Sequence, residues 1–228
     1  MKKVALHNLG CKVNSYETEA MSQLLANAGY EIVSFSEKAD VYIVNTCSVT
    51  NMADRKSRQM LHKAKKMNPD AVVVATGCYV QTDTEKLDKD EAVDLILGNN
   101  QKKNIVEALE DYEKENHKLS RVIKINQTKE YESLAISRTA EHVRAYMKVQ
   151  DGCNQFCTYC IIPYARGRVR SRALDNVLAE ARTLAEKGYQ EVVLTGIHLS
   201  SYGVDFPEEK KADLLTLIEA VHEIEGIK

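Results

Sequence analysis

The sequence predicts an α/β protein in two units: an N-terminal parallel sheet, then a second round of strand and helix. Three observations carry this prediction. Short apolar runs rich in β-branched residues recur through the first hundred positions, segments of helical spacing separate them, and the same alternation restarts after a polar stretch.

The runs KVALHNL (3–9), VYIVN (41–45), AVVVAT (71–76) and VDLILG (93–98) have the length and composition of buried strands. Between them, SYETEAMSQLLANAGY (15–30) carries apolar residues at helical spacing up to Gly29, and MADRKSRQMLHKAKKMN (52–68) is helix-like and closed by Pro69. This alternation predicts a parallel α/β domain over residues 1–98. Residues 99–141 turn polar, with a helix expected over 101–115 and a short strand over RVIKI (121–125), and read as the edge of the first domain and a linker. The second unit, 142–228, offers strand VRAYMKV (143–149), a cysteine loop, helix 173–189, strand EVVLTG (191–196) and helix 212–226. It ends where another strand is due. No internal repeat or low-complexity segment interrupts the pattern.

At 228 residues, 44% hydrophobic and 28% charged, the chain can build one large or two modest cores. No apolar run reaches the roughly 18 residues of a membrane span, and MKKVALHNLGCKVNS lacks the apolar stretch of a secretory signal, so a cytoplasmic protein without a membrane partner is expected. In a reducing compartment, six cysteines point to metal or catalysis ahead of disulfides. A net charge of −2 gives no global basic field, so contact with nucleic acid must come from local clusters.

Cys11, Cys47 and Cys78 each follow an expected strand, in NLGC, VNTC and ATGC. The carboxyl ends of parallel strands lie along one edge, where such sheets place their ligands. A single cysteine there reads as a small buried hydrophobe. Three at one topological position favour a shared metal site.

DGCNQFCTYCIIPYARGRVRSR (151–172) sets Cys153, Cys157 and Cys160 at spacings x3 and x2 with no fourth ligand. Structural zinc needs four ligands, and the nearest histidines, His142 and His198, are not at finger-like spacing. Three thiolates suit a four-iron four-sulfur cluster with one iron left open for a substrate or cofactor. Zinc remains the alternative.

The C-x3-C-x2-C loop after a strand resembles that of radical S-adenosylmethionine enzymes. Together, LGCKVNSYETEAM, VNTCSVTNMADRKSRQ, TGCY and DGCNQFCTYCIIPYARGRVRSR resemble the tRNA methylthiotransferases from end to end. Within that family, GCKVN, YETE and LTGIHLSSYG are similar to the branch acting on N6-threonylcarbamoyladenosine, with the isopentenyladenosine branch as the alternative.

The resemblance implies that residues 142–228 open a radical-SAM partial (β/α) barrel, apparently truncated after about two of its βα units. It implies that Cys153, Cys157 and Cys160 hold a [4Fe-4S] cluster whose open iron takes S-adenosylmethionine, and that Cys11, Cys47 and Cys78 hold an auxiliary cluster. It further implies transfer of a methylthio group to C2 of the modified adenosine, in a single-stranded tRNA anticodon loop. A radical is needed there, because the C2 hydrogen is not acidic enough for a side-chain base. A reductant such as flavodoxin or ferredoxin and a sulfur donor are implied partners.

Tyr159 is placed by analogy near the nucleoside of the cofactor, with a core aromatic as the alternative. Gly196 ends a barrel strand where backbone and cofactor would approach closely. His198, just beyond, reads as a satisfied polar group. Arg166, Arg168, Arg170 and Arg172 alternate, so an extended segment would turn all four one way. Arg168 is the cofactor-binding candidate among them, and a solvated basic edge is the other reading. The run RKSRQMLHKAKK (55–66) reads as a solvated helix face, with RNA contact as the alternative. Two other classes stay open: a two-cluster electron-transfer protein and a zinc-dependent RNA-binding module.

Overall fold

The computed structural model describes residues 1–115, 117–136 and 144–227. The last part of the expected linker (137–141), His142 and the first residue of the strand expected at 143 lie outside them.

Strand β1 (Lys3–Asn8) runs into helix α1 (Lys12–Asn27), followed by β2 (Glu31–Val33), β3 (Val41–Thr46), α2 (Asn51–Met67) and β4 (Val72–Gly77). Two short helices, α3 (Cys78–Thr82) and α4 (Thr84–Asp88), precede β5 (Leu95–Leu97), α5 (Ile105–Glu115) and β6 (Leu119–Arg121). The six strands pair in parallel in the order β2-β1-β3-β4-β5-β6. Helices cover both faces, as buried parallel strands require. Leu61 and Ala64 of α2 pack on Tyr42, Val44, Val73 and Ala75. On the other face, Met21 and Leu25 of α1 and Ile105, Ala108 and Leu109 of α5 pack on Val4, Val41, Ile43 and Val74. The chain order reverses between β1 and β3, the position where doubly wound sheets open a crevice beyond their strand ends.

Two details depart from the sequence reading. The sequence did not announce β2, whose three residues are too few to show a period. The strand expected at 121–125 lies at Leu119–Arg121, where Leu119 registers with Leu95 and extends the sheet. Beyond β6 the chain is packed down. Leu134 and Ile136 are buried against Tyr16 and Ala20, and the Tyr16 hydroxyl donates to the Leu134 carbonyl.

The second unit holds β7 (Arg144–Lys148), β8 (Gln150–Asp151), α6 (Ile162–Arg166), β9 (Arg170–Ser171), α7 (Leu174–Glu186), β10 (Glu191–Thr195) and α8 (Leu214–His222). β7 and β10 pair in parallel, and Ala145, Met147 and Val149 pack with Val177, Ala181 and Leu184 of α7 and Leu217 and Val221 of α8. β8 and β9 pair antiparallel at the base of the cysteine loop. The units meet where α1 packs on β7 and α3 on α6. No helix among the described residues is long and apolar enough to cross a membrane.

Candidate functional site

The three N-terminal cysteines sit where the strand ends put them. Cys11 caps the start of α1 after β1, Cys47 follows β3, and Cys78 follows β4 as the first residue of α3. They flank the switch point and its neighbouring strand. A Cβ added to Gly10 would lie 3.1 Å from Cys47 Sγ, which puts the Cys11 turn directly against that thiol. Burial pushes the Cys47 thiol up, and Cys78 and Cys11 act on it in the same direction. Asn14 ties the turns together by donating to the carbonyls of Leu9 (2.7 Å) and Thr46 (2.9 Å). Gly77 has φ +98° and ψ −160°, and a Cβ there would lie 2.5 Å from the Thr46 carbonyl oxygen, so only glycine delivers Cys78 to this edge.

The other set occupies the loop from β8 to α6. Cys153 is buried, Cys160 half-buried and Cys157 exposed. The Cys153 amide donates to the Gly167 carbonyl (3.0 Å) and the Cys160 amide to the Cys157 carbonyl (2.9 Å). Arg168 stacks over Phe156, its guanidinium carbon 4.3 Å from the ring centroid, which keeps that side chain at the loop. Tyr159 is 90% exposed, so it is no core aromatic. A Cβ added to Gly196 would lie 2.9 Å from Gln150 Oε1, a side chain of the chain itself. That oxygen accepts from the Ile197 (2.9 Å) and His198 (2.8 Å) amides. The His198 ring is partnered by Ser201 Oγ at 2.7 Å.

Arg166 joins the two units. It ends α6, and its Nε donates to Cys78 Sγ at 3.3 Å while Nη1 and Nη2 fork onto Glu17 at 2.6 and 3.1 Å. Lys148 Nζ bonds Glu17 (2.9 Å) and Asp151 (3.2 Å), Lys102 Nζ lies 3.2 Å from Glu17, and Arg170 Nη2 lies 3.6 Å from Asp151. All of these side chains are buried. Burial alone raises the Glu17 carboxyl, but Arg166, Lys102 and Lys148 outweigh it and hold Glu17 well below the ordinary carboxylate range. Asp151 is likewise held down, to about 2, by Lys148, Arg166 and Arg170 against the opposing effect of burial.

The four alternating arginines therefore do not share a face. Arg166 lies on a helix, Arg170 and Arg172 turn inward, and only Arg168 is exposed, because the segment is not one extended strand. Arg172 pairs with Glu180 at 2.6 Å. The sequence reading missed Glu17, Lys102, Lys148, Asp151 and Asn99, whose Nδ2 donates to the Ala165 carbonyl at 2.7 Å. A signal existed for one of them: Glu17 falls in the buried stripe of Val13, Tyr16, Ala20 and Met21 on α1.

Among the described residues, no three His, Cys, Asp or Glu side chains close on a single ion. The donors nonetheless fit an anionic thiolate cluster. Lys102, Lys148, Arg166 and Arg170 face Glu17, Asp151 and Glu132, which leaves one buried positive charge over, and Arg166 is aimed at Cys78. Arg170 Nε is buried without a hydrogen-bond acceptor among the described residues. An anionic cluster held at Cys78 would balance the excess, and buried charge needs such balance.

Two family models match the chain: Uncharacterized protein family UPF0004 over residues 3–98, and the Radical SAM superfamily over residues 147–227. The chain is 43% identical, over all of its length and 50% of the relative, to the threonylcarbamoyladenosine tRNA methylthiotransferase MtaB of Bacillus subtilis. It is 46% identical to the MtaB of Aquifex aeolicus, over 99% of the chain and 54% of that protein. A tRNA-2-methylthio-N(6)-dimethylallyladenosine synthase of Moorella thermoacetica is 36% identical over 96% of the chain and 50% of its own length. The chain thus spans about half the length of the curated relatives it matches. Among solved structures, the radical S-adenosylmethionine methyltransferase TsrM of Kitasatospora setae superposes with a TM-score of 0.60 at 16% identity, covering 88% of this chain and 48% of that one, a likeness of fold.

Proposed function

The chain belongs to the radical S-adenosylmethionine tRNA methylthiotransferase family, and on that premise we propose that its protein transfers a methylthio group to C2 of N6-threonylcarbamoyladenosine beside the tRNA anticodon. One observation carries the reading: Arg166, at the end of the helix that follows the Cys153–Cys160 loop, donates to Cys78 of the N-terminal cysteine set. The 43 and 46% identity to the MtaB proteins of Bacillus subtilis and Aquifex aeolicus, against 36% to the synthase of Moorella thermoacetica, supports the branch.

Cys153, Cys157 and Cys160 would hold one [4Fe-4S] cluster and Cys11, Cys47 and Cys78 the other. When bound, these clusters and S-adenosylmethionine supply the electron, the hydrogen-abstracting radical and the sulfur. The residues of the chain orient and shield. Gln150 fixes the turn after β10 through two amides, and Arg168 braces the cysteine loop through Phe156. Arg166 and the buried cations around Glu17 hold the Cys78 edge in a dry setting with cationic donors beside it. Tyr159 stays a candidate for contact with the cofactor. A cytoplasmic setting, a reductant such as flavodoxin or ferredoxin and a sulfur donor complete the proposal.

The test is deletion of the gene followed by mass spectrometry of digested tRNA. The reading requires loss of the 2-methylthio group from N6-threonylcarbamoyladenosine with the threonylcarbamoyl group intact. Loss from isopentenyladenosine instead would overturn the branch and keep the family.

A further inference from the structure

We propose that the outer stripe of α2 is a docking track for RNA phosphates that leads to the cysteine-bearing sheet edge, a proposal that rests on the tRNA reading above. The helix begins at Asn51, just past Cys47, and runs away from that edge to Met67, about 25 Å at 1.5 Å per residue. Its inner side is buried through Ser57, Leu61 and Ala64. Arg55, Arg58, His62 and Lys66 recur at steps of three and four, so they form one stripe. With Pro69 they line a groove of about 890 Å³ against Ala92.

Two features point to a polyanion. First, the stripe is locally cationic in a chain of net charge −2, and the charges of Arg55 and Lys66 are not spent internally. Lys65 is held by Asp94 (2.9 Å) and His62 by Asp90 (2.8 Å), whereas Arg55, Lys63 and Lys66 are exposed and make no ion pair among the described residues. Arg55 with Arg58, and Lys63 with Lys66, are like charges three apart, a spacing that weakens a helix unless an anion lies across it. Second, the track is physically joined to the site. Arg58 Nη1 donates to the Tyr79 hydroxyl at 3.1 Å, and Tyr79 follows Cys78. A backbone lying along the stripe therefore ends where an unstacked base meets the cysteines.

An acidic protein fits this face less well. Protein interfaces take their energy from central aromatic or large apolar anchors, and Pro69 and Ala92 are the apolar lining here. A row of spaced cations without an anchor matches a row of phosphates.

The experiment measures binding of an anticodon-stem-loop RNA hairpin to the full chain by fluorescence anisotropy across a salt series. The triple variant Arg55→Gln/Lys63→Gln/Lys66→Gln is compared with Lys38→Gln/Lys89→Gln/Lys187→Gln, a control of equal charge change at exposed sites elsewhere. The α2 variant should bind at least tenfold more weakly, with the slope of log K against log salt reduced by about 2, since each lost contact to single-stranded phosphate removes about 0.7. The control should match the unmodified chain. Circular dichroism checks that both variants keep the fold. Equal slopes for the two variants overturn the track and leave the function standing. Failure of the unmodified chain to bind the hairpin at any salt overturns the tRNA reading as well. If RNA binding is unchanged while the α2 variant loses binding to polyglutamate, the face belongs to an acidic protein and the proposal fails.

Discussion

Arg166 and Cys78, 88 residues apart in sequence, meet with Nε 3.3 Å from Sγ. The helix that closes one cysteine loop thus donates to a thiol of the other set, and the same guanidinium is forked onto Glu17 of α1. Docking of the two units and shaping of the N-terminal cysteine edge are one structural event.

Breaking this fork should be costly because it strands charge in a dry interface. Arg166→Gln and Glu17→Gln should each destabilise the protein by about 3–5 kcal/mol in chemical denaturation. The double variant should cost clearly less than the sum. Strict additivity would show that the two side chains act independently.

Stability should also fall in acid. The Glu17 and Asp151 carboxyls titrate lower in the folded protein than when unfolded, Asp151 at about 2, so their stabilisation is fully present above the unfolded carboxylate range, about 4. It is lost as pH falls through the folded values. Unfolding free energy should therefore drop between about pH 4 and pH 2, and Glu17→Gln should flatten that drop. Equal slopes for the two proteins would contradict the assignment.

Gly77→Ala should cost about 1–3 kcal/mol, since φ +98° with ψ −160° is a conformation open almost solely to glycine. A Cβ there would also meet the Thr46 carbonyl oxygen at 2.5 Å. Thermal unfolding reads the loss directly. An unchanged midpoint would mean that the β4–α3 turn relaxes freely.

The fold was legible where periodicity is strong. The strand and helix alternation from Lys3 to Leu97 and from Arg144 to His222 follows from apolar runs, and the position of Cys11, Cys47 and Cys78 follows from the strand ends. β2, at Glu31–Val33, was not legible, because three residues carry no period. The interface was the larger omission. Lys102, Lys148 and Asp151 look like ordinary surface charges in sequence, and only the packing of α1 on β7 and of α3 on α6 buries them together. The alternating arginines misled for a related reason: alternation implies one face only in a continuous strand, and here α6 and the turn at Gly167 interrupt it.

The two cysteine sets should fail in different ways. In the complete protein, alanine at Cys153, Cys157 and Cys160 should abolish reductive cleavage of S-adenosylmethionine. Alanine at Cys11, Cys47 and Cys78 should leave 5′-deoxyadenosine formation while methylthiolation stops. Normal methylthiolation by the second variant would return those thiols to the status of packing residues.

Iron and sulfide analysis after anaerobic reconstitution tests the central claim, two separate cluster sites on one chain, most directly. The unmodified chain should hold about eight iron and eight sulfide, and each triple-alanine variant about four of each, as two four-iron clusters with three thiolates apiece require. Stoichiometric zinc without sulfide, or a full complement of iron in the Cys11, Cys47 and Cys78 variant, would contradict it.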